Sequence, residues 1–173
     1  FYSLVYELYK DKNLSLIAAV SFFSMPAVSF SSFILSTDVF LILFWIMGMA
    51  QVLRLKNNQG FINYFLLGFF VGLGFLSKYA AVYFIISFLI LLILERKNFK
   101  KVVNNRLGLL LSFLVFIITI SPNIVWNINN GWSTLFHTAD NASLGSIKFN
   151  FVGGLNFLLS QILMVGPFLF FLF

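Results

Sequence analysis

FINYFLLGFFVGLGFLSKYAAVYFIISFLILLIL, residues 61–94, consists of two apolar runs, Phe61–Leu76 and Ala80–Leu94, parted by a single cation, Lys78. A helix needs roughly 20 apolar residues to cross a bilayer core, and each run approaches that length once its flanks are counted. Neither run alternates polar and apolar residues as a half-buried strand would, so the pair reads as two helices meeting at a tight turn. Working outward, the same texture recurs at Leu14–Leu35, Val39–Leu53, Leu107–Ile120 and Phe151–Phe173. The expectation is an all-α membrane protein, a polytopic transmembrane helix bundle of about six spans. One longer polar segment, Ser121–Asn150, is expected as an outer loop, and Phe1–Tyr9 as the tail of an earlier helix or an amphipathic surface segment. Pro26 and Pro167 fall inside apolar runs, where the missing backbone donor should kink or end the helix.

Composition excludes a soluble globule: 61% of residues are hydrophobic, 9% are charged, and 25 of 173 are phenylalanine. Without cysteine there is neither a disulfide framework nor a thiolate metal site. A net charge of +6 is compatible with nucleic-acid binding, but its distribution argues for a membrane. Lys10, Lys12, Arg54, Lys56, Arg96, Lys97, Lys100, Lys101 and Arg106 all fall in alternate connections, the positive-inside pattern, and mark one side as cytoplasmic. The other side holds Lys78 and Lys148. The turns at Ser31–Asp38 and Ser77–Tyr79 and the Ser121–Asn150 segment therefore face outward.

Charged residues avoid the middle of every apolar run, whereas ion-coupled transporters place ionisable groups or broken helices there. The chemistry-bearing candidates sit at the outer rim instead. Asp38, in Ser36-Thr37-Asp38, opens a helix; it can complement the helix dipole or present a carboxylate to a substrate. Lys78 breaks the positive-inside pattern; it can snorkel to headgroups or bind a lipid phosphate. His137 is the one imidazole, with Asp140 three residues on, a pair too small to specify a metal. Trp126, Asn127, Asn130 and Trp132 combine aromatic faces with amides, a mixture that suits sugars and interfacial belts alike. Asn141-Ala142-Ser143 is a formal glycosylation triplet. Gly68, Gly72 and Gly74 are spaced for close helix packing.

In order along the chain, Ser36-Thr-Asp38-Val-Phe-Leu-Ile-Leu-Phe-Trp45, Gly68-x-x-x-Gly72-Leu-Gly-Phe-Leu-Ser-Lys78-Tyr79, Ser121-Pro-Asn-Ile-Val-Trp126-Asn127, Asn130-Gly-Trp132-Ser-Thr-Leu-Phe-His137 and Gly166-Pro167 resemble the GT-C glycosyltransferases of the protein-mannosyltransferase and aminoarabinose-transferase type. The resemblance covers essentially the whole chain, which then reads as the transmembrane part of such a domain, truncated at both ends. It implies a bacterial inner-membrane enzyme. A polyprenyl-phosphate-linked donor would give its sugar to a lipid or protein acceptor on the outer face. The family's catalytic base lies in a first outer loop, expected upstream of residue 1. Asp38 resembles the family's outer-face site carboxylate, and Lys78 the lysine that binds the donor phosphate. Trp126, Asn127, Trp132 and His137 are expected to line the substrate side. His137 falls where some relatives have a metal-associated histidine, so a divalent metal ion is the cofactor the resemblance leaves open. Those relatives follow it with an arginine, where this chain has Asn141 and Ala142.

Two other readings stay open on the residues. A transporter or lipid flippase needs a polar path, for which the apolar runs supply scattered Ser, Thr, Asn and Gln161; solute counterflow in proteoliposomes would reveal it. A non-catalytic membrane subunit would lack an acidic pair in the first outer loop.

Overall fold

A computed structural model describes residues 1–141 and 151–166 of the chain. The described residues form helices without strands: α1 (Tyr2–Tyr9), α2 (Lys12–Ser24), α3 (Pro26–Ile34), α4 (Thr37–Asn57), α5 (Phe61–Ser77), α6 (Val82–Leu94), α7 (Lys100–Asn104), α8 (Arg106–Asn129), α9 (Ser133–Asn141) and α10 (Phe151–Val165). A 3-10 turn, Tyr79–Ala81, joins α5 to α6. Lys148, Pro167, and the Ala142 and Ser143 of the glycosylation triplet lie outside the described residues.

Of the expected spans, α4 and α8 are long and apolar enough to cross a membrane. The run Leu14–Leu35 is not one straight span. Pro26 has no N–H to continue α2, the chain turns extended at Met25, and α2 and α3 meet at 63°. Phe61–Ser77, Tyr79–Leu94 and Phe151–Val165 are apolar but shorter. The polar segment is a loop over less of its length than expected. Ser121–Asn129 continues α8, and Ser133–Asn141 is a helix of its own. Pro122 sits inside α8 and cannot donate to the carbonyl of Ile118, four residues back. Ser121 Oγ donates to that oxygen instead, at 2.7 Å, so the helix passes through the proline.

Small residues set the packing. A Cβ on Gly68 would stand 2.1 Å from the Ser112 carbonyl oxygen, and one on Gly72 would stand 2.7 Å from Thr119 Cβ. Gly108 in turn lies under the Tyr64 ring, and Phe75 meets Phe116 edge-on at 5.8 Å. Contacts advance together along both helices, so α5 and α8 run parallel with their backbones nearly touching. α4 runs antiparallel to α5, which brings Asp38 beside Lys78 and Phe44 beside Gly74. The buried cluster of Val52, Leu55, Tyr64, Leu67, Phe84, Phe99 and Val102 lies between α4, α5, α6 and α7. Elsewhere large apolar side chains face outward, Phe33 at 90% exposure among them, as suits a lipid surface and not water. The helix directions collect Asp38, Lys78, Asn123 and α9 at one end, and Arg54, Lys56 and the 96–106 basic cluster at the other.

Candidate functional site

α5 ends where Lys78 leaves helical geometry; its N–H still bonds the Gly74 carbonyl at 3.0 Å, but its φ and ψ of −160° and 134° are extended. That break sends the side chain to Asp38, whose Oδ1 lies 2.5 Å from Lys78 Nζ. Asp38 occupies the first turn of α4, where the helix dipole favours an anion. Ser36 stands at the N-cap, yet its side chain makes no capping bond and its buried Oγ has no partner among the described residues. Asp38 is thus held by a residue 40 positions away rather than spent on a local cap. Lys78 and Asp38 side chains are 48% and 43% exposed, so both remain reachable from outside the bundle.

Directly after Lys78, Tyr79 turns its ring under Phe75 and its hydroxyl toward α8 and α9. It donates to Asn123 Oδ1 at 3.0 Å and lies 2.8 Å from Thr134 Oγ1. Thr134 Oγ1 donates to Asn127 Oδ1, and Asn127 Nδ2 donates to the Asn123 carbonyl at 2.9 Å. Asn127, 1% exposed, is the hub: both ends of its amide are engaged within the protein and its side chain is closed off from the cleft. The chain reverses from α8 into α9 through Gly131 and Trp132, both in left-handed backbone geometry. For a tryptophan that conformation costs roughly 1–2 kcal/mol. The Trp132 N–H, bonded to the Asn127 carbonyl at 2.8 Å, helps hold it there.

Between the α5 end, α8 and α9 lies a cleft of about 780 Å³, lined by Thr37, Phe75–Tyr79, Asn123, Ser133, Thr134, His137 and Thr138. Of the residues singled out from sequence, Lys78 and His137 line it and Asp38 reaches it through Lys78. Asn127 lies buried behind the wall. Trp126 and Trp132, 49% and 42% exposed, sit at this end but outside the lining. Tyr79, Asn123, Ser133, Thr134 and Thr37 were not anticipated. Asn123 and Asn127 are four apart, a spacing that puts both on one helix face, but the signal disappears when 121–129 is read as loop. Among the described residues no three His, Cys, Asp or Glu side chains come together. His137 and Asp140 do not by themselves supply a metal's ligand set.

A Lys78–Asp38 pair at the mouth of a cleft, at one end of an apolar helix bundle, defines a helical membrane protein with a charged rim. The dolichyl-phosphate-mannose-protein mannosyltransferase family matches residues 1–126, and this chain belongs to it. The matched region holds Asp38, Lys78, Tyr79 and Asn123 but ends before Asn127 and α9. Over 154 residues the chain is 29% identical to the lipid A galacturonosyltransferase RgtD of Rhizobium johnstonii, covering 87% of this chain and 31% of that protein. The chain therefore spans about a third of the length of this relative. No solved structure matches it.

Proposed function

We propose that the chain is the membrane-embedded part of a glycosyltransferase that takes a sugar from a polyprenyl-phosphate donor at the outer face of a bacterial inner membrane, crossing that membrane several times. The observation that carries this reading is the Lys78–Asp38 pair at the mouth of the cleft, at the end away from the basic cluster. Exposed ion pairs contribute only about 0–1 kcal/mol, so Lys78 can exchange Asp38 for a donor phosphate at little cost. The vacated carboxylate stays at the α4 N-terminus, where the dipole still favours it.

In the reaction, a base removes the acceptor hydroxyl proton, the acceptor oxygen attacks the anomeric carbon, and the bond from that carbon to the phosphate oxygen breaks with inversion. Lys78 stabilises the charge gathering on the departing phosphate. Because phosphate leaves readily, no carboxylic acid needs to protonate it, unlike in glycoside hydrolysis. Asp38 serves as the site carboxylate that keeps the Lys78 ammonium at the cleft mouth until the donor phosphate takes it over, and the base is assigned to none of the described residues. His137 lines the sugar side of the cleft, and Trp126 and Trp132 offer exposed aromatic faces to an acceptor arriving at the same end. The family description names a protein acceptor and mannose, and the relative's name names lipid A and galacturonic acid; transfer of a sugar is what they share.

The test is sugar transfer by the full-length protein carrying Lys78→Ala or Asp38→Ala. Transfer should be abolished while membrane insertion is unchanged. Wild-type rates in both variants would remove the site assignment.

A further inference from the structure

A second cleft, of about 820 Å³, lies at the opposite end of the bundle, in the connection from α6 to α7. Its charged lining is Arg96, Lys97 and Lys100 with one carboxylate, Glu95. Phe99 and Val102 are buried in the core on either side of Lys100 and Lys101, so the backbone that carries these exposed charges is anchored. Glu95 accepts from Asn98 Nδ2 at 2.6 Å, and none of the three cations is ion-paired with a carboxylate among the described residues. Three cations against one carboxylate leave the lining with two uncompensated positive charges. Membrane orientation requires cations on this side. It does not require them around a concavity, or without counter-charges.

Just before the cleft, Ile93 and Leu94 expose 73% and 76% of their surface on the last turn of α6. An apolar turn leading into a cationic hollow matches the two halves of a phospholipid, acyl chain and phosphate. We propose that this cleft binds the headgroup of an anionic phospholipid, its phosphate among Arg96, Lys97 and Lys100 and its chain along Ile93 and Leu94. The arginine offers a fork of donors to phosphate oxygens, and the lysines add point charges. The site does not depend on the sugar-transfer reading, since it shares no residue with the Lys78 cleft.

The experiment measures phosphatidylglycerol binding to the full-length protein in nanodiscs, by native mass spectrometry and by the thermal shift over phosphatidylcholine alone. At about 1 kcal/mol per basic residue, the triple variant R96Q/K97Q/K100Q should lose affinity on the order of a hundredfold. K10Q/K12Q, basic residues of the same side but outside the cleft, should lose far less. Glu95→Gln should gain about fivefold, a change of sign that misfolding cannot imitate. Equal losses in the two multiple variants, no gain in Glu95→Gln, or inorganic phosphate stabilising the detergent-solubilised protein as well as the lipid does would each overturn the proposal.

Discussion

Alanine at Gly68 should force α5 and α8 apart. Its Cβ would stand 2.1 Å from the Ser112 carbonyl oxygen and 2.9 Å from the carbonyl carbon, where ordinary contact begins near 3.4 Å. The obstacle is backbone, so no rotamer change relieves it, and the helices must separate by roughly an ångström. Overpacking of this kind costs about 1–3 kcal/mol, more than the roughly 1 kcal/mol gained when alanine replaces a helical glycine. Gly72→Ala meets Thr119 Cβ at 2.7 Å and Cγ2 at 2.8 Å; rotation about χ1 moves Cγ2 at the loss of the 2.8 Å bond to the Val115 carbonyl but leaves Cβ in place, so a smaller shift of the helices is needed here too. Among the described residues, Gly74→Ala finds its nearest atom at 3.6 Å and Gly154→Ala finds nothing within 4 Å, so both should keep the propensity gain. Thermal unfolding of the full-length protein should therefore rank Gly68→Ala lowest, Gly72→Ala next, and the other two at or above wild type. Sugar transfer should fall with Gly68→Ala too, because α5 ends in Lys78 and α8 carries Asn123 and Asn127. A Gly68→Ala protein that melts with or above Gly154→Ala would refute the close parallel packing.

Asn127→Leu removes the acceptor of Thr134 Oγ1 and the weak 3.5 Å donor to Tyr79, while Tyr79 keeps Asn123 and Thr134; a lost bond of about 0.5–1.5 kcal/mol should loosen α9, seen as faster amide exchange over Ser133–Asn141. Asp38→Asn should change the melting temperature little, since an exposed pair contributes under about 1 kcal/mol, while lowering transfer; equal losses of stability and activity would argue for a purely structural pair. Trp126→Ala and Trp132→Ala, whose rings lie outside the cleft lining, should leave the donor KM unchanged and raise the acceptor KM if they meet the acceptor. Donor KM values that rise with either variant would move the donor sugar onto the tryptophans.

Much of the architecture was legible residue by residue. Apolar run length marked where helices form, and Pro26 marked where one breaks, because both depend on the local chain and its solvent. The spacing of Gly68 and Gly72 announced a close helix contact. It did not say which helix comes there, since a glycine stripe is equally compatible with any small-residue neighbour. Lys78 stood out as a cation in an otherwise uncharged setting. The polar segment was read less well: Asn, Ser and Trp have weak helix propensity, and Pro122 looks like a stop. The hydroxyl of Ser121 takes up the Ile118 carbonyl that the proline leaves open, and α8 continues for two more turns.

The sequence by itself determined that this is an all-α membrane protein with its exceptional cation at the end of α5. Apolar length, charge avoidance and proline chemistry act locally and need no partner to be read. Tertiary structure decided what that cation touches and what walls its cleft. The parallel packing of α5 on α8, permitted by missing Cβ atoms, brings Tyr79 to Asn123. The antiparallel packing of α4 brings Asp38 to Lys78. Those meetings join residues about 40 positions apart, and no local pattern encodes them. For the same reason Asn127, which resembled a ligand group in the sequence, is a buried hydrogen-bond hub: the packing of α5, α8 and α9 gave its amide three partners before any substrate could.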